Sequence, residues 1–102
     1  MNPKISIIIV DYHSEKELAN CVKSIKTKNS HEIIVEDNNE DSAHGNIGFG
    51  AANNLGAARA RGKYLFFLNP DTLVQSGAIE KLVDFFDVNS NVAITAPMLL
   101  NP

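Results

Sequence analysis

The chain has no second cysteine, no excess of basic residues, no apolar run of membrane-spanning length and no internal repeat. Each absence removes a class of protein. Cys21 alone cannot close an internal disulfide, which excludes a disulfide-stapled scaffold and makes a reducing compartment the expected setting. Nine Lys and Arg stand against twelve Asp and Glu, a net charge of −3. Scattered and outnumbered, the basic residues leave no electrostatic footprint for nucleic acid. The first apolar run, Ile5 to Val10, is ended by Asp11 and followed by no small-residue cleavage site, so it does not read as a signal peptide. No stretch approaches the roughly 20 apolar residues of a membrane span. His13, His31, His44 and Cys21 lack zinc-ligand spacing, and no Ser/His/Asp or Cys/His arrangement can be argued from their positions. The expectation is a soluble, cytoplasmic chain, with peripheral attachment at the inner face of a membrane open to it through parts outside this sequence.

What is present is ordinary globular material: 102 residues, 44% hydrophobic and 21% charged, enough for one domain with a modest core. Ile5 to Val10 is almost continuously β-branched, as in a strand covered on both faces of a parallel sheet. Ser14 and Glu17 form the pattern of a capping box, and Leu18, Cys21, Val22 and Ile25 carry helical spacing, predicting a helix from about Glu15 to Thr27. Glu32 to Val35 reads as a second strand ending at Glu36-Asp37, and the polar run from Asn38 to Gly48 reads as a loop. The small-residue segment Phe49 to Arg61 predicts a helix able to approach a sheet closely, with Gly62 placed to end it. Tyr64 to Leu68 is a third strand, broken sharply at Asn69-Pro70-Asp71-Thr72. A helix follows from about Gly77 to Asp87, then a fourth strand, Val92 to Ala96. Alternation of this kind predicts an α/β fold: a Rossmann-like, three-layer sandwich around a parallel sheet.

Ligands of such sheets bind beyond the carboxyl ends of the strands. Asp11, Glu36-Asp37 and Asp71 all fall there, which suggests a cation or hydrogen-bonded hydroxyls at that edge; acids in these places also cap turns and helices. Asp71 follows five apolar residues and a proline-fixed turn, and hard carboxylate oxygens suit Mg²⁺ or Mn²⁺ held jointly with substrate phosphates. Its other reading is a turn acid or helix N-cap. Gly45-Asn-Ile-Gly-Phe-Gly50 satisfies neither the dinucleotide fingerprint nor the P-loop pattern, yet Gly48 and Gly50 lead into a helix N-terminus that would favour an anion or polar ligand edge. Tight helix–sheet packing would explain the same glycines. The pairs Phe66-Phe67 and Phe85-Phe86 read most simply as core.

Four strings occur in order: Ile7-Ile-Ile-Val-Asp-Tyr-His-Ser14, Ile34-Val-Glu-Asp-Asn-Asn-Glu-Asp41, Asn46-Ile-Gly-Phe-Gly-Ala-Ala-Asn-Asn-Leu-Gly56 and Gly62-Lys-Tyr-Leu-Phe-Phe-Leu-Asn-Pro-Asp-Thr72. Together they resemble the N-terminal, nucleotide-binding portion of family 2 glycosyltransferases, in particular the rhamnosyltransferase-like branch. The resemblance implies a partial GT-A (nucleotide-diphospho-sugar transferase) fold and sugar transfer from a UDP- or dTDP-linked donor to an acceptor hydroxyl, as in cell-surface polysaccharide biosynthesis. It implies that Asp11 and Tyr12 wall the base, that Asp37 hydrogen-bonds it, and that Gly48 to Asn54, including Asn53 and Asn54, line the nucleotide. It also implies that Asp71, matching the last acid of the D-x-D motif, ligates the divalent metal.

The departures are specific. Asn69 stands where many relatives have the first Asp, Asp11 and His13 replace more usual asparagines, and a helix and strand expected between Asp41 and Asn46 are missing. The resemblance further implies that residues 1–102 form a single subdomain lacking the C-terminal acceptor half, so no catalytic base is assigned. The competing reading is a non-catalytic truncated module that forms a homo-oligomer through the uncovered sheet edge. A receiver-type phospho-acceptor domain also clusters acids at strand ends, but the glycine-rich loop argues against it.

Overall fold

A computed structural model describes residues 2–89 of the chain. The elements run β1 (Ile5–Asp11), α1 (Glu15–Ser24), β2 (His31–Asp37), α2 (Phe49–Arg59), β3 (Tyr64–Leu68) and α3 (Ala78–Val88). The strands form one parallel sheet in the order β2-β1-β3. The strand expected at Val92 to Ala96, and the sheet edge proposed to be uncovered beside it, lie outside the described residues.

Continuous apolarity of β1 follows from its central place. Ile5, Ile7 and Ile9 face α1 and α3 and join Cys21, Ile25, Phe66, Leu68, Ile79 and Val83 in the main core. Ile8 faces the opposite side, where α2 packs against β1 and β2. Helices on both faces make the three-layer α/β sandwich that alternation predicted. The α2 layer rests on small residues: Ala52 and Gly56 are buried, and a Cβ on Gly56 would stand 2.6 Å from Ile8 Cγ2. Ser6 is the one polar residue buried within β1. Its hydroxyl donates to Glu32 Oε2 at 2.6 Å and accepts the Gly62 N–H at 2.8 Å, so its burial is compensated.

Several local expectations are corrected. Ser14 caps no α1 amide through its side chain; its hydroxyl donates to Tyr12 O at 3.0 Å, and Asp11 Oδ1 accepts the Ser14 N–H at 3.0 Å. The expected capping box is thus displaced by an Asp-centred turn. Helix α1 ends at Ser24 rather than Thr27, because the Ser24 hydroxyl closes the last turn onto Cys21 O and accepts the Val74 N–H from the β3–α3 connection. Gly62 does not cap α2, which ends at Arg59 with Ala60 extended. It is needed for close approach instead: a Cβ there would lie 2.6 Å from Ser6 N and 2.7 Å from Ile5 C. Phe67 and Phe85 are exposed (47% and 44%), so only one ring of each pair is core-directed. The strand register puts Leu65 and Phe67 on the α2 face, beyond the strands α2 covers.

Candidate functional site

The register brings Asp11 and Asp37 side by side at the carboxyl ends of β1 and β2, while β3 ends at Leu68 opposite Ile9. The three strand-end acids therefore share one edge, but their carboxylates have different occupations. Asp11 Oδ1 accepts the Ser14 N–H, and its Oδ2 lies 3.5 Å from Asn39 Nδ2. Asp37 is exposed, and its Oδ1 accepts both the Asn39 N–H (3.0 Å) and Asn39 Nδ2 (2.7 Å). Those hydrogen bonds, with a smaller contribution from nearby His44, hold the Asp37 carboxyl below its ordinary range and keep it an anionic acceptor. Glu36 does not belong to this edge. It faces α2, buried to 8% exposure, with its Oε1 bonded by Arg59 Nε at 3.0 Å and an Arg59 terminal nitrogen at 2.7 Å.

Asp71 sits in the turn Asn69–Thr72, closed by the Thr72 N–H to Asn69 O bond at 3.0 Å with Pro70 at the second position. Its carboxylate is exposed and makes no hydrogen bond or ion pair among the described residues. It is not a helix cap, since α3 begins at Ala78 behind Gly77. Among the described residues no group of three His, Cys, Asp or Glu could hold a metal ion by itself. A cation at this edge would draw its other ligands from outside the described residues, and Mg²⁺ commonly takes them from water and phosphates. One free carboxylate on a proline-fixed turn fits that donor set.

The polar run after β2, which reads as a loop in the sequence, is ordered by its asparagines. Asn38 is buried (3% exposed); its Oδ1 accepts the Ile47 N–H at 3.0 Å and its Nδ2 donates to Asn46 Oδ1 at 3.2 Å. Asn46 Oδ1 also accepts the Gly48 N–H at 2.9 Å, and Asn38 N–H reaches Asp11 O at 2.8 Å. This chain of bonds ties the β1 and β2 ends to the start of α2. The missed signal was Asn directly after a strand-end Asp, the pattern of a side-chain-closed turn.

Helix α2 opens at Gly48, whose φ of +90° requires glycine and whose carbonyl accepts the Ala52 N–H. Gly50 differs: it has no positive φ and nothing within 4 Å of where a Cβ would stand, so packing does not demand a glycine there. Asn53 lies one turn into the helix. Its Oδ1 is buried and has no hydrogen-bond partner among the described residues. Asn54, beside it, is exposed. Tyr12 is exposed (43%), and its hydroxyl donates to Glu40 Oε1 at 2.6 Å. That bond, and the negative charge of Glu40, raise the Tyr12 phenol above its ordinary value.

A parallel sheet with helices on both faces and polar turns gathered at its carboxyl edge is the layout of a Rossmann-like ligand-binding domain. The glycosyltransferase-like family 2 model matches residues 1–101, and the chain belongs to that family, a transferase class. It is also 29% identical, over 114 residues and 88% of its length, to the minor teichoic acid biosynthesis protein GgaB of Bacillus subtilis (strain 168). The chain spans 13% of that relative's length. The matched stretch exceeds the chain's own 102 residues, so the relative carries residues here that this chain lacks. Among the described residues no helix is long and apolar enough to cross a membrane.

Proposed function

We propose that this chain is the donor-binding part of a glycosyltransferase, holding a nucleoside-diphosphate sugar, UDP- or dTDP-linked, through a divalent cation, Mg²⁺ or Mn²⁺. The whole protein would transfer the sugar to an acceptor hydroxyl of a cell-surface polymer, with the acceptor site and catalytic base outside this chain. Asp71 would be the protein ligand of the cation, which when bound would neutralise charge developing on the departing diphosphate. Asp37, kept anionic by Asn39, has its Oδ2 left to accept from a base N–H or a ribose hydroxyl. Asp11, behind it, supports the Tyr12 turn.

The observation that carries the nucleotide reading is Asn53. A buried amide oxygen without a donor costs free energy unless something supplies one. The atom is closed to solvent as it stands, so a nucleotide hydroxyl or N–H would supply the donor through a turn of the Asn53 side chain toward the opening at Gly48 and Gly50. Gly50, unneeded for packing, leaves the backbone open to close approach by the same ligand. Isothermal titration of the chain with UDP, dTDP and GDP, with and without Mn²⁺, tests the reading. Pyrimidine diphosphates should bind in a metal-dependent way, and Asn53→Ala should weaken binding by about tenfold, the worth of one buried hydrogen bond. Absence of binding by every nucleotide, or equal binding by Asn53→Ala, would contradict it.

A further inference from the structure

Glu40 lies in the loop after β2, and the family resemblance gives it no base or metal contact, yet it makes two bonds to the turn after β1. Its Oε1 accepts the Tyr12 hydroxyl at 2.6 Å and its Oε2 lies 2.9 Å from His13 Nε2. The two rings meet edge to face, with centroids 4.4 Å apart and planes at 67°. One carboxylate thus spans two adjacent exposed side chains. The backbone beneath is fixed from the same loop. His13 has φ of +53°, a conformation that non-glycine residues seldom adopt, and its N–H donates to Asn39 Oδ1 at 2.7 Å. Asn39 also bonds Asp37, so the β2 loop sets the position of Tyr12 and of Asp37 together.

We infer that Glu40 is a positioning residue for nucleotide recognition: by holding the Tyr12 hydroxyl and the His13 ring on one carboxylate, it fixes the wall against which the base of the donor packs. The inference rests on the donor-binding reading above. Without Glu40, both rings would have to be immobilised when the nucleotide binds, and ordering side chains at that moment weakens affinity. Glu40 need not touch the nucleotide, and its bonds face the turn.

The chain has two tyrosines and no tryptophan, so in a Tyr64→Phe background the phenol absorbance reports Tyr12 alone. Tyr64 bonds Asp87 and stacks on Phe86, so phenylalanine keeps the ring contact there. In that background the Tyr12 phenol should ionise above its ordinary value of 10.0 and fall toward it in Glu40→Ala. UDP or dTDP affinity, with Mn²⁺ present, should drop roughly tenfold in Glu40→Ala, and Glu40→Gln should recover most of it because the amide oxygen still accepts from Tyr12. If Tyr64→Phe binds nucleotide and Glu40→Ala binds it equally while the phenol shifts, the positioning role is wrong and the donor reading stands. If the phenol does not shift, the bond itself is refuted. If Tyr64→Phe and the unmutated chain both bind no nucleotide, the donor reading fails and this inference falls with it.

Discussion

Replacing Gly56 with alanine would place a methyl group 2.6 Å from Ile8 Cγ2 and 3.4 Å from Glu36 Cγ. Carbon atoms in good contact stand about 3.5–4.0 Å apart, so the nearer pair must separate by roughly 1 Å. Ile8 cannot yield: it is fully buried on the central strand, and its branched Cβ leaves few rotamers. Helix α2 would have to lift, loosening Ala52 and the Arg59–Glu36 pair. Overpacking of this kind costs about 1–3 kcal/mol, partly offset by alanine's helix preference of about 1 kcal/mol. The expected net loss is centred near about 1 kcal/mol within a range of about 0–2 kcal/mol, or a Tm lower by roughly 4–8 °C at the centre in a domain of this size. Gly50→Ala in the same helix should act with opposite sign. Nothing stands within 4 Å of its Cβ position, so it should raise stability by about 0.5 kcal/mol, while weakening nucleotide binding if a ligand approaches there. Thermal denaturation of both variants decides the matter. A raised Tm for Gly56→Ala would refute the close packing of α2, and a markedly lowered Tm for Gly50→Ala would show that the fold itself demands that glycine.

Other outcomes follow from the same contacts. Asn38→Ala should cost about 1–3 kcal/mol in urea denaturation, because it leaves the Ile47 N–H unbonded and frees Asn46 from the strand end. Arg59→Ala should destabilise more than Arg61→Ala, since Arg59 pairs with buried Glu36 at 2.7 Å while Arg61 meets the more exposed Glu32 at 3.4 Å. Stability should fall in acid. Glu32 is held below its ordinary value of 4.5 chiefly by the Ser6 hydroxyl and then by the Arg61 N–H, and Glu80 chiefly by Thr27. A carboxyl lowered in the folded state contributes stability that is present above its unfolded value and lost as pH falls through the folded one. Melting curves should therefore be flat near neutrality and decline below about pH 4.5, less steeply in Glu32→Gln from its own lower starting point.

Much of the fold was legible because its signals are local and repeated. The β-branched run of β1 announced a strand buried on both faces, and the small residues of α2 announced close approach to a sheet, which Gly56 against Ile8 realises. Where two polar groups competed for one partner, periodicity could not decide. Ser14 and Glu17 match a capping box, yet Asp11 takes the Ser14 amide. Gly62 matched a helix stop, but its reason is a tertiary approach to Ser6, invisible without knowing which strands are neighbours. The aromatic pairs misled for a related reason: adjacent residues on a strand face opposite ways, so Phe66 and Phe67 cannot share one core. At the candidate site the strand-end acids could be found from sequence, but not their different occupations, nor the asparagine network through Asn38, Asn39 and Asn46 that joins them.

If Asp71 is the protein ligand of the donor's cation, UDP titrations of wild type and Asp71→Asn in the presence and absence of Mn²⁺ will show it. Asp71 is exposed and makes no hydrogen bond among the described residues, so the substitution should alter stability by no more than about 0.5 kcal/mol. Mn²⁺ should strengthen UDP binding to the wild type and leave Asp71→Asn at its metal-free affinity. An equal Mn²⁺ enhancement in both would contradict it.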